Sequence, residues 1–207
     1  MLIGTLRALR FGLGCLLVIS ASASAERFTD RKHGFSIEKP ADWCVLSAQA
    51  ITEDHRSIER DNPELSQAVR DKSNLSNLII AFTRSAGASP NRLTSTVKIG
   101  LVRSAPFEGE SGERILNALL PSIQSLLPDV KVETAPEVVT LAGEGAGHME
   151  LTYTLKAEQG PERIAVETWV VPRGKSYLQI GATYPADDQT GDRAAVMELV
   201  SSLRFSS

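Results

Sequence analysis

Phe28-Thr29-Asp30-Arg31-Lys32-His33-Gly34-Phe35-Ser36-Ile37-Glu38-Lys39-Pro40-Ala41-Asp42-Trp43 is the stretch from which the architecture is read outward. Residues 27–30 read as a short first strand and Lys32-His33-Gly34 as a turn. Phe35-Ser36-Ile37-Glu38 then alternates apolar and polar side chains as a second strand. Pro40 closes that strand, because proline offers no N–H to a ladder. Glycine at position 34 suits a turn that a side chain would crowd, and Trp43 is large enough to cover one edge of a core.

Beyond this hairpin, residues 51–60 have helical composition. Asn62-Pro63-Glu64 has the cap residue, first-position proline and first-turn acid of a second helix running to about Asp71. Leu78, Ile80 and Phe82 share one face of a predicted strand over 77–83. Leu93, Val97, Ile99 and Leu101 do the same over 93–102. Ser111 caps the clearest helix, with Ile115, Leu116, Leu119, Leu120, Ile123, Leu126 and Leu127 in a stripe at helical spacing. Pro121 within it predicts a kink or a split. Residues 130–133 and 138–142 are two candidate strands, and Gly143-Glu144-Gly145-Ala146-Gly147 predicts a bulged or twisted strand start.

Three alternating runs follow. Met149, Leu151, Tyr153 and Leu155 alternate with His148, Glu150, Thr152 and Thr154; Ile164, Val166 and Val170 form the second run; Leu178, Ile180, Ala182 and Tyr184 form the third. Gln159-Gly160-Pro161 and Arg173-Gly174 are the turns between them. A last helix is expected from Asp188 or Thr190 to Leu203, with Ala195, Val196, Leu199, Val200 and Leu203 inward. Consecutive strands on tight turns imply an antiparallel sheet, and three amphipathic helical regions imply cover on both its faces. The fold class expected is therefore α/β in the broad sense (α+β), an antiparallel sheet sandwiched between helices.

The N-terminus reads as an address. Arg7 and Arg10 precede the uncharged apolar run of residues 11–20, and Ala23-Ser24-Ala25 supplies a small-residue cleavage pattern. Cleavage is expected between Ala25 and Glu26, with a cut after Ala23 as the alternative. The uncharged stretch falls short of the roughly 20 residues a membrane span needs. A lipid anchor at Cys15 is rejected, since Cys15 sits within the apolar run and Gly12 stands where a large aliphatic residue is wanted. The domains expected are thus a signal peptide over 1–25 and one globular domain over 26–207. A domain of that length buries roughly 70% of its unfolded surface and needs neither metal nor disulfide to fold. Without the two arginines the net charge moves from −3 to −5, which lacks the basic footprint of a nucleic-acid or anionic-membrane binder. Cys44, the one cysteine left after processing, is expected to be buried beside Trp43.

The 28–43 stretch resembles the opening signature of the PsbP/Mog1-like superfamily: an aromatic strand, then Gly-Phe-Ser-Ile, then Pro-x-x-Trp. The order of elements agrees with that family through the meander and closing helix, and Leu141-Ala142-Gly143 followed by Ala146 is similar to the strand that opens its meander. The resemblance implies an antiparallel sheet between helices. It also implies a binding or scaffolding role, since the family includes extrinsic photosystem II proteins, a nuclear Ran-binding protein, bacterial envelope proteins and cytoplasmic chaperones. Together with the export signal, it implies a bacterial periplasmic or secreted member whose partner is another envelope protein.

Candidate chemistry is sparse. His148 and Glu150 share a strand face and are the nominees for a metal, lacking a third ligand in sequence. Their H-x-E pattern has no P-C-x-x-C partner. Glu53-Asp54-His55 points in divergent directions on a helix. The 143–147 glycine run lacks the Lys-Ser/Thr of a phosphate loop, and G-x-S-x-G and H-E-x-x-H are absent. No catalytic residue and no cofactor are expected. An exported, non-enzymatic accessory protein ranks ahead of a small-ligand or metal binder, and both rank ahead of an unrecognised hydrolase.

Overall fold

The computed structural model describes residues 25–47, 77–84, 94–103, 105–127, 129–157, 160–187 and 191–206. Residues 1–24 of the signal peptide expected over 1–25, the helices expected over 51–71, and Leu93 lie outside the described residues.

Three strands open the domain: β1 (Glu26–Asp30), β2 (Phe35–Lys39) and β3 (Trp43–Val45). Then come β4 (Leu78–Arg84), β5 (Thr96–Arg103), helix α1 (Gly112–Leu126) and β6 (Lys131–Leu141). The meander β7 (Glu144–Ala157), β8 (Gly160–Arg173) and β9 (Ser176–Pro185) follows, then α2 (Asp192–Ser201) and β10 (Arg204–Phe205). The strands form an antiparallel seven-stranded sheet in the order β3-β4-β5-β9-β8-β7-β6 and a small sheet β1-β2-β10. The hairpin read from 28–43 is therefore present, with Phe28 opposite Ile37. It belongs to the small sheet, and β10 joins it where the sequence suggested only the end of a helix.

Alternation divides the large sheet into two packed faces. On one, Ile80, Phe82, Val97, Ile99, Trp169, Leu178, Ile180 and Tyr184 meet Phe35 and Ile37 of the small sheet and Val196, Leu199, Val200 and Leu203 of the α2 region. On the other, Met149, Leu151, Val170 and Tyr177 meet Ile115 and Leu116 of α1. Ser111 caps α1 by accepting from the Arg114 N–H. Pro121 sits inside one unbroken helix, so the predicted split does not occur. Among the described residues no helix is long and apolar enough to cross a membrane.

Three local expectations are corrected. The two strands expected over 130–133 and 138–142 are one strand, β6 (Lys131–Leu141), which carries an extra residue between Val132 and Thr134 and another between Thr134 and Glu137. As an edge strand it tolerates Pro136. The same kind of irregularity between Leu78 and Ile80 turns Leu78 off the shared face and lets Ile79 pack on the core. The glycine run, by contrast, is regular strand from Glu144 onward, paired Leu141–Glu144 through Val138–Gly147. Its entry is a two-residue turn in which Ala142 and Gly143 both have positive φ, 51° and 86°, the geometry that matches strand twist.

Gly147 has a different purpose. A Cβ there would lie 2.1 Å from the Gly112 carbonyl carbon, and one on Gly112 would lie 2.2 Å from the Gly147 nitrogen. The start of α1 rests directly on the β7 backbone, and that contact sets the spacing of helix and sheet. Gly147→Ala is expected to lower unfolding free energy by about 2 kcal/mol or more, the cost of overpacking a backbone contact. Urea denaturation checks this, with Gly145→Ala, which has open space, as the near-neutral control.

Candidate functional site

The α1 face of β7 takes Met149 and Leu151, so His148, Glu150 and Thr152 turn to the face shared with α2. Strand pairing sets Trp169 of β8 opposite His148, and Glu167 opposite Glu150. Tyr184 comes in from β9, opposite Ala165. Helix α2 starts at Gly191, whose φ of 67° turns the chain without a side-chain cap. Its first turn is fixed instead by Asp192, which accepts from Ser95 Oγ at 2.6 Å and Arg84 Nη1 at 3.3 Å. Arg84 also binds Asp42 at 3.0 Å. These pairs hold the helix start against β4 and β5 and bring Arg193 over the polar face of the meander.

The centre of the arrangement is Glu167, a carboxylate with only 1% of its surface exposed. Tyr184 donates to its Oε1 at 2.6 Å and Arg193 Nε donates to the same oxygen at 3.0 Å. His148 Nε2 lies 3.1 Å from Oε2. Burial by itself would raise the Glu167 pKa. The hydrogen bonds from His148, Tyr184 and Arg193 outweigh that and bring it down to about 2. The same exchange acts on the partners. Burial works against the charged form of His148, but the carboxylates of Glu167 and Glu137 prevail and raise its pKa above the usual histidine value. The Tyr184 hydroxyl is pushed up by burial and by its bond to Glu167. Arg193 reaches on to Glu150 at 3.3 Å, and the His148 ring stacks on Trp169 with centroids 5.1 Å apart.

Next to this node opens a cleft of about 650 Å³. Glu133, Glu150, Thr152, Arg163, Tyr184 and Arg193 supply its polar walls, while Pro161, Ala165, Pro185 and Ala186 add apolar ones. The polar groups are cross-linked: Arg163 Nη2 donates to Thr152 Oγ1 at 2.6 Å, and that hydroxyl donates to Glu133 at 2.8 Å. These bonds hold the polar side chains of the cleft in fixed orientations.

His148 and Glu150 do share a face, as their spacing required, and both belong to this cluster. They are joined through Glu167, Arg193 and Tyr184, none of which the sequence nominated. Among the described residues no group of three His, Cys, Asp or Glu side chains is placed to hold a metal ion. Both ring nitrogens of His148 are already turned to carboxylates, so it is engaged as an ion-pair partner. His33 closes the β1–β2 turn with Asp30, Nδ1 to Oδ2 at 2.7 Å, and His55 lies outside the described residues, as do Glu53 and Asp54. Ala25 and Glu26 mark the exposed start of β1. Cys44 is exposed, against the expectation of burial. Strand alternation sends Trp43 into the core, so its successor faces outward. The buried indole Nε1 of Trp43 has no hydrogen-bond partner.

The backbone fold is similar to that of solved structures. LpqN of Mycobacterium tuberculosis, a protein involved in cell envelope biogenesis, is similar with a TM-score of 0.51 at 15% identity, over 88% of this chain and 86% of LpqN. The cyanobacterial PsbP (CyanoP) of Synechocystis sp. PCC 6803 is similar with a TM-score of 0.53 at 10% identity, over 88% of this chain and 93% of CyanoP. No family model matches the sequence, and no curated protein matches it. The chain has the PsbP/Mog1-like fold, an antiparallel α+β arrangement, shared at the level of backbone and not of sequence identity.

Two predictions test the node. Glu167→Gln removes the charge that three donors serve. It is expected to cost about 3 kcal/mol, at the lower end for a broken buried pair because Arg193 is half-exposed, as read by urea denaturation. The pH dependence follows from the two shifts. The depressed pKa of Glu167 gives stability that is full above the ordinary value of 4.5 and lost as pH falls toward about 2. The raised pKa of His148 gives stability that is full below 6.5 and lost as pH rises through its folded value. Thermal midpoints should therefore be highest between these limits, and His148→Gln should flatten the decline on the alkaline side.

Proposed function

We propose that the chain is an exported, non-enzymatic binding protein of the cell envelope that engages a protein partner through the cleft beside Glu167. One observation carries the reading. Beside the cleft His148, Glu150, Tyr184 and Arg193 are bound in a fixed array around Glu167, and Glu167, the most buried of them, is held at a pKa of about 2. A general acid or base works best with a pKa near the operating pH, so such a carboxylate is suited to ordering a surface. The setting draws on the leader pattern over residues 1–25, which predicts a mature domain starting at Glu26, and on LpqN, a protein of the same fold involved in cell envelope biogenesis.

The test is site-specific photo-cross-linking in the native cells. A photoreactive residue at Pro161, exposed on the cleft wall, is expected to give one discrete adduct in the envelope fraction. The same residue at Asn117, exposed on α1 at the opposite face, is expected to give none. Equal adducts at both positions, or none at either, would overturn the cleft assignment. Mass spectrometry of that fraction is expected to show a chain beginning at Glu26, or at Ser24 if the leader is cut after Ala23. Protein recovered from the cytosol with Met1 intact would overturn the export reading.

A further inference from the structure

The two ring nitrogens of His148 make different contacts. Nε2 is 3.1 Å from Glu167 Oε2, and Nδ1 is 3.3 Å from Glu137 Oε1. A neutral imidazole has a single N–H, and its other nitrogen carries a lone pair. Both contacts are hydrogen bonds only when the ring is an imidazolium. Glu137 stands on β6, at the end of the stretch where that edge strand carries its two extra residues. Pro136 in the same stretch has no N–H to give the ladder. Thr134 and Glu137 pair with Glu150 and His148, but Ala135 and Pro136 between them have no partner in the register. The backbone hold across residues 134–137 is therefore interrupted, and the bond from His148 to Glu137 is a side-chain tether at its end.

We propose that His148 is a proton-operated clip, which in its doubly protonated form ties residues 134–137 of β6 to the buried Glu167 and on deprotonation lets that stretch go. The direction of release follows from solvation. Glu167 is sealed from water, whereas the Glu137 side chain is half-exposed. The single remaining N–H stays with the carboxylate that water cannot reach, and Glu137 is surrendered to solvent. The charged and titratable groups around the ring are Glu137 on β6, Glu150 two residues along β7, Glu167 on β8, Tyr184 on β9 and Arg193 on α2. Of these only Arg193 is cationic, and it already serves both Glu167 and Glu150, so carboxylate charge dominates and favours the protonated clip. Trp169, stacked on the ring, keeps it in place in both states. Glu133, immediately before the tethered stretch, lines the cleft, so opening the clip alters one cleft wall. The clip does not depend on what the cleft binds.

Hydrogen exchange of the full chain, corrected for intrinsic rates and recorded from about pH 5 to about pH 9 across the histidine range, tests this. His148 is titrated in parallel by NMR. Protection of amides in residues 133–138 is expected to fall about tenfold through the His148 midpoint, while β8 and β9 amides stay protected. In Glu137→Ala the same stretch should exchange fast at every pH, and the His148 midpoint should drop. Protection of 133–138 that is flat with pH, or that changes away from the His148 midpoint, would overturn the proposal. So would a Glu137→Ala variant that keeps the wild-type profile. Retained protection of β8 and β9 shows in each case that the variant has folded.

Discussion

A carboxylate cannot be taken out of water and left charged unless donors replace its hydration, and at Glu167 those donors come from three different elements. His148 arrives on β7, Tyr184 on β9 and Arg193 on α2. Each is held where it is by something else: the ring of His148 by Trp169, Tyr184 by its buried place on β9, and Arg193 by the helix start that Asp192 pins to Ser95 and Arg84. The requirement of one buried charge thus becomes a positional constraint on the meander and on the closing helix together. An apolar residue at 167 would free α2 to seat by packing alone, and Arg193 would lose the bond that aims it along the cleft toward Glu150.

The two faces of the large sheet are joined to their helices by opposite means. On the α1 side the contact is almost wholly apolar, with Thr168 a buried polar side chain on that face. Gly112 and Gly147 bring backbone against backbone, and Ile115, Leu116, Met149 and Leu151 close the rest. On the α2 side an apolar core gives way, toward β6 and β7, to charged and hydroxyl groups that satisfy one another. A dry contact fixes the distance between layers but carries no information about a ligand. The charged side is costlier to assemble, and it is there that the cleft opens.

Most of the strands and both described helices were legible in the sequence, because period-two and helical spacing survive in any sheet or helix with one buried face. The site was less so. Glu167 fell among the outward positions of a run read as alternating from Ile164 to Val170. Yet Val166-Glu167-Thr168-Trp169-Val170-Val171 is apolar on both faces, the mark of a strand covered on both sides. That signal alone would have demanded partners for Glu167. No local pattern announces Arg193, since it reaches the node only through the α2 start and the chain's return. The extra residues in β6 leave no trace in composition, which is why one strand read as two. At Cys44 the apolar neighbours were given more weight than alternation, and alternation prevailed.

What links the fold to the proposed binding role is the unequal hold on the strands that wall the cleft. From β5 through β9 and β8 to β7 the pairing runs without a slip, so Thr152, Arg163, Ala165 and Tyr184 are fixed relative to one another. The fourth strand at the cleft, β6, is an edge strand with two register shifts and a proline, and it brings Glu133 to the same cleft. A recognition surface with several rigid walls and one compliant wall can keep its chemistry while adjusting its width. A stiff sheet and a weakly laddered edge strand are enough to provide that, and here they meet at the residues surrounding Glu167.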